Sequence, residues 1–101
     1  MIVYLKKSNR NNKKYIAEIH DGTNIDKVHF GDSRYEDYTT HKDDKRKELY
    51  IARHKSTENW KKSGIRTAGF WSYWILWNKA TVEESIEYLN RKYKHVKIYM
   101  V

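Results

Sequence analysis

The segment Tyr38-Thr39-Thr40-His41-Lys42-Asp43-Asp44-Lys45-Arg46, followed by Arg53-His54, gathers the side chains that general acid–base chemistry or metal ligation would use. Its spacing does not support either. His41 and His54 lie thirteen positions apart, which on a common helix rising about 1.5 Å per residue separates them by ~20 Å, too far for one ion. The His-Lys-Asp-Asp run also lacks the His-x-x-x-His or second carboxylate motif that makes a metal site specific. The expectation is a solvated, salt-bridged helix with no catalytic residue and no metal ligand.

Gly64-Ile65-Arg66-Thr67-Ala68-Gly69-Phe70-Trp71, preceded by Trp60, places two glycines at the entry to an aromatic segment. A phosphate-cradling loop would need more glycines and a terminal Lys-Ser/Thr, so these two read as turn or close-packing positions. Phe70, Trp71, Tyr73, Trp74 and Trp77 are interleaved with Lys61, Lys62, Arg66 and Lys79. Rings beside cations are how single strands are stacked, and aromatic residues also anchor protein interfaces. Rings at helical spacing are more often core, and Trp71, Trp74 and Trp77 are expected there with Ile86 and Leu89.

The remaining chemistry is cationic. Lys6, Lys7, Arg10, Lys13 and Lys14 surround the first predicted turn, Lys45, Arg46, Arg53, Lys61, Lys62 and Arg66 occupy the middle, and Arg91, Lys92, Lys94 and Lys97 stand near the end. The candidate binding surfaces are the regions Lys6 to Lys14 and Arg46 to Lys62. If the first and last strands are neighbours, the first and third groups could merge into one patch. No helix-turn-helix, zinc-finger or RNA-recognition signature accompanies them.

These residues need elements to hold them. Residues 2–6 and 14–20 alternate as strands around a Ser8 to Asn12 turn, and Asn24 to Phe30 reads as a third strand after Asp21-Gly22, with Val28 and Phe30 on one face. From Lys42 the pattern turns helical, with Asp43 and Asp44 in the first turn, Thr40 as cap, and Leu49, Tyr50 and Arg53 at turn spacing. A helical turn is expected at Ser56 to Lys62. Ala68 to Trp77 predicts a helix with Phe70, Tyr73, Trp74 and Trp77 on its inner face, which Trp71 and Ile75 widen, so that it is buried on most sides. Thr81 and Glu84 form a capping box in which Glu84 reaches back to the Thr81 amide, and Val82, Ile86, Leu89 and Tyr93 give the apolar stripe that follows. Val96 to Val101 is rich in strand formers. The fold class is α+β: an N-terminal antiparallel meander, two to three helices and a C-terminal strand rejoining the sheet, all in one domain spanning 1–101.

Composition agrees with a binding protein. The 101 residues carry 21 Lys and Arg against 13 Asp and Glu, a net charge of +8, so the field attracts polyanions. Segments 1–20, 41–66 and 91–101 are basic and flank two acidic ones. Absence of cysteine excludes disulfides and thiolate chemistry. No export signal and no membrane span are expected, because no apolar run approaches ~20 residues.

The stretches Tyr35 to Asp43, Arg53-His54, Glu58-Asn59-Trp60 and above all Gly69-Phe70-Trp71-Ser72-Tyr73-Trp74-Ile75-Leu76-Trp77-Asn78-Lys79 resemble a family of small basic proteins from large double-stranded DNA viruses of eukaryotes, from the N-terminal Met-Ile-Val-Tyr-Leu to about Ile86. The resemblance implies a virion location, reached from the cytoplasm or nucleus of the infected cell. It implies no catalytic residue. The resulting expectation is a non-enzymatic minor capsid or virion-associated protein without cofactors, binding acidic surfaces of other virion proteins. The alternative is a nucleic-acid-binding protein that packages or condenses viral DNA.

Overall fold

A computed structural model describes residues 1–101. Three antiparallel strands, β1 (Ile2–Lys7), β2 (Lys13–Asp21) and β3 (Asn24–Asp32), form the expected meander. Two-residue periodicity puts Val3 and Leu5, Ala17 and Ile19, and Val28 and Phe30 on one buried face. The β2–β3 loop has only two residues, and Gly22 takes the left-handed φ of 62° that such tight hairpins require. The last strand, β4 (Lys97–Met100), pairs parallel to β1, giving the order β3-β2-β1-β4. A parallel partner demands a crossover, and the helices supply it: α1 (Tyr38–His41), α2 (Asp44–His54), α3 (Ala68–Trp71) and α4 (Val82–Lys92). No helix is long and apolar enough to cross a membrane.

α1 and α2 are separated by Lys42, whose φ of 55° ends the first helix. Thr40 therefore lies inside α1, and the cap of α2 is Asp43, which accepts from the Lys45 and Arg46 amides. The same break takes His41 off the helix that carries His54. On α2, Tyr50 turns inward while Leu49 is exposed. The helical turn expected at Ser56 to Lys62 lies further on, as a 3₁₀ turn at Lys62–Gly64.

The largest departure is in the aromatic segment. After α3 the chain runs as a wider π-helical turn, Ser72–Leu76. Wider winding puts residues five apart on one face, so Phe70 and Ile75, and Trp71 and Leu76, are the pairs that enter the core. Trp74 and Trp77, expected inside, are only partly buried and pack on the core's margin with Tyr93. Trp71 is fully buried, and its indole N–H donates to the Ile65 carbonyl at 2.6 Å. Val82, Ile86 and Leu89 meet the core from α4 as expected. Thr81 caps α4 by accepting from the Glu84 amide, but the Glu84 carboxylate accepts from the Thr81 hydroxyl and not from its amide.

Gly31 shows how tightly the layers meet. Its φ is 81°, and a Cβ there would lie 2.7 Å from Leu76 Cδ1. One residue on, Asp32 accepts from the Arg34 guanidinium at 2.8 and 3.1 Å and from its backbone amide at 3.0 Å. These bonds favour the charged carboxylate and push its pKa from 3.8 down to about 2. A depressed carboxylate stabilises the fold above its unfolded pKa, and that stabilisation is lost as pH falls from about 4 toward 2. Arg34→Ala should return the Asp32 titration toward 3.8, which carboxyl NMR can follow; an unchanged midpoint would mean that Arg34 is not the cause.

Candidate functional site

Lys61 and Lys62 lie about thirty residues from Lys92 in the sequence; the fold brings them together. The loop after α2 is held by its own polar contacts. Asn59 Nδ2 donates to Ser63 Oγ, its Oδ1 accepts from the Lys61 amide, and a Cβ on Gly64 would fall 2.1 Å from the Asn59 carbonyl. Only glycine lets the chain pass there. This geometry seats Trp60 against Tyr73, centroids 4.2 Å apart and planes within 16°, while the Trp60 carbonyl accepts from the Trp74 indole at 2.7 Å. From α4, Lys92 reaches over Trp74 and Tyr93, its Nζ 5.4 and 5.5 Å from the ring centroids.

The outcome is an open groove of about 570 Å³, with Lys55, Lys61, Lys62 and Lys92 around a floor of Trp60, Trp74 and Tyr93. None of the four lysines belongs to an ion pair. Glu58 is the one carboxylate in the lining. The rings come from a longer ladder: Trp60 stacks 6.4 Å from Tyr50, and Tyr50 lies 4.3 Å from Trp77 with planes 3° apart. The aromatic segment therefore serves both as core, through Phe70 and Trp71, and as groove floor, through Trp74.

A second concavity, about 420 Å³, lies between β3, α2 and the π-helical turn, and its lining includes Lys14, Asp37, Arg53, His54, Glu58 and Ser72. One of its carboxylates is already engaged. Asp37 accepts from Lys14 Nζ at 2.6 Å, from the Thr39 amide at 2.9 Å and from the Thr39 hydroxyl, and so caps α1. Burial raises the pKa of the Tyr50 hydroxyl at its edge. Arg53 thus joins a mixed-charge cleft and not the lysine groove. His41 accepts from the Asp43 amide through Nδ1 and packs on Trp77, and no group of three or more His, Asp or Glu side chains is placed to hold a metal ion.

The other predicted cations separate by environment. Lys7, Arg10, Lys13 and Lys14 line a groove at the β1–β2 turn, whereas Lys6 is paired with Glu18 on the sheet. Lys45 and Arg46 are exposed on the first turn of α2. Arg66 is committed to structure, clamping Asp21 and Asp26 of the β2–β3 hairpin at 3.0 and 2.8 Å. The register sets Lys97 opposite Ile2, so Lys97 and Lys7 sit at opposite ends of β1, on the order of 15 Å apart at ~3.3 Å per residue. The first and third basic groups do not merge; Lys92 joins Lys61 and Lys62 instead. Lys55 falls inside the candidate region Arg46 to Lys62 without being singled out there, and no local pattern marks it, because the groove exists only where Lys55 and Lys92 line one concavity.

In comparison with known proteins, the model for a family of unknown function, DUF5754, matches residues 3–54, a span running from β1 to the end of α2. No curated protein and no solved structure matches the chain.

Proposed function

The chain belongs to the DUF5754 family, and, from its own surface chemistry, we propose that it is a non-enzymatic structural protein of a virus particle, a minor capsid or virion-associated component that docks on acidic surfaces of other virion proteins. The viral setting rests on the resemblance of the Gly69 to Lys79 block. The observation that carries the docking is the groove of four lysines free of ion pairs over an aromatic floor. Cations already neutralised gain little from a new anionic partner, whereas unpaired ones gain both charge contact and steering. Aromatic side chains beneath them add desolvated contact area.

Quantitative mass spectrometry of purified particles, before and after nuclease treatment and genome removal, tests the role. Retention in the shell fraction at a regular ratio to the major capsid protein is the expected result. Release with the DNA would transfer the assignment to the alternative, nucleic-acid packaging, and absence from particles would overturn both. In solution, the variant Lys61→Glu/Lys62→Glu/Lys92→Glu should bind a labelled polyglutamate peptide about tenfold more weakly than wild type at low salt, a difference that shrinks as salt screens it. Equal binding by the two proteins would remove the groove from the proposal.

A further inference from the structure

All the core side chains of the sheet point to the helices, which leaves the other face without a covering layer. The register reads that face out as rows. Lys97, Ile2, His20 and Ile25 stand side by side; then Tyr99, Tyr4, Glu18 and Lys27; then Lys6, Ile16 and His29. Its rings cluster. Tyr99 and Tyr4 are 6.1 Å apart with planes at 28°, and His20 meets Tyr4 edge-on at 5.2 Å. Tyr99 is 50% exposed, and because β4 is the edge strand its ring has a sheet neighbour on one side only.

We propose that this open sheet face binds single-stranded nucleic acid, with Tyr99 and Tyr4 as stacking platforms for bases and Lys97 and Lys27 as contacts for the phosphates. The inference goes beyond the docking role above and uses a different surface, since the lysine groove lies in the helical layer.

Three observations select this ligand. First, a flat four-stranded face, about 14 Å across at ~4.8 Å per strand, displays unstacked bases in the manner of sheets whose exposed aromatic residues stack two or three of them. A duplex keeps its bases stacked inward and offers such rings nothing to stack on. Second, the charge is complementary: the one carboxylate of these rows, Glu18, is held by Lys6 at 3.3 Å and His20 at 2.7 Å, which leaves Lys27 and Lys97 free of ion pairs. Third, the neighbouring edge is unavailable to an added peptide strand. Asn90 bonds both the N–H and the carbonyl of Ile98, at 2.8 and 3.1 Å, and so blocks the outer side of β4 at its centre.

Fluorescence anisotropy with a labelled oligothymidylate of about twelve nucleotides, long enough to cover the face, tests the proposal. Wild type should bind the single strand more tightly than a duplex of the same length. Tyr99→Ala, an exposed position whose change leaves the core intact, should weaken binding roughly tenfold, the size of one lost base–aromatic stack. Tyr99→Phe keeps the ring and should stay within about twofold of wild type. No single-strand binding, a preference for duplex, or equal affinity of Tyr99→Ala and wild type would each overturn the proposal. So would an equal loss on Tyr99→Ala for polyglutamate, since that would make the face a protein-docking surface.

Discussion

Replacing Trp71 by alanine is expected to remove about 4 kcal/mol of stability, within the range for truncating a large buried aromatic residue. Trp71 has no solvent exposure, packs on Phe30 and Phe70, and holds the Ile65 carbonyl through its indole. Alanine leaves both a cavity and an unpaired acceptor, and a domain of this size has only on the order of 5–15 kcal/mol in total. Guanidinium denaturation followed by circular dichroism should show the midpoint fall sharply. Trp74→Ala, at the core margin, should cost roughly half as much or less. Similar losses for the two would mean that the π-helical turn does not set the inward face as described.

Asp37→Ala should also be strongly destabilising, at about 3 kcal/mol. Loss of an N-cap alone removes ~1 kcal/mol, and here the same carboxylate neutralises Lys14, whose side chain is only 21% exposed. Removing one partner of a largely buried pair leaves the other charge stranded, which is the more expensive part. The effect should therefore be conditional. Adding Lys14→Met to Asp37→Ala should recover about 1–2 kcal/mol relative to the sum of the single changes, a coupling that a double-mutant cycle in urea measures directly. Simple additivity would show that the pair is not coupled.

The parts of the fold that were legible in the sequence are those governed by local rules. Alternating Val3, Leu5, Ala17, Ile19, Val28 and Phe30 and the glycine at 22 specify the meander, and Thr81 with Glu84 marks the start of α4. The aromatic segment misled in part for a physical reason: Phe70, Tyr73, Trp74 and Trp77 fit a regular helical stripe equally well, whereas the π-helical turn, packed against β3 and α4, takes Leu76 inward with Ile75 and leaves Trp74 and Trp77 at the margin. Charge was legible in amount but not in availability. Lys14 and Arg66 looked like free binding cations, and carboxylates more than twenty positions away claim them. Lys92 looked like part of a patch with the first turn, whereas the parallel register of β4 and the course of α4 deliver it to Lys61 and Lys62. The open face was hidden too, since Tyr4 and Tyr99 become neighbours only when that register is known.

The parallel pairing of β1 with β4 also bears on how the molecule is made. Residues 2–5 find partners at 97–100, so the ladder that completes the sheet closes a loop of nearly the whole chain, the slowest kind of contact to form. During synthesis the meander and α2 can assemble first, while one side of β1 waits without its partner. A ribosome-bound nascent chain lacking β4 should thus expose a sticky strand edge, and chaperone capture or self-association at that stage would set the yield of folded protein.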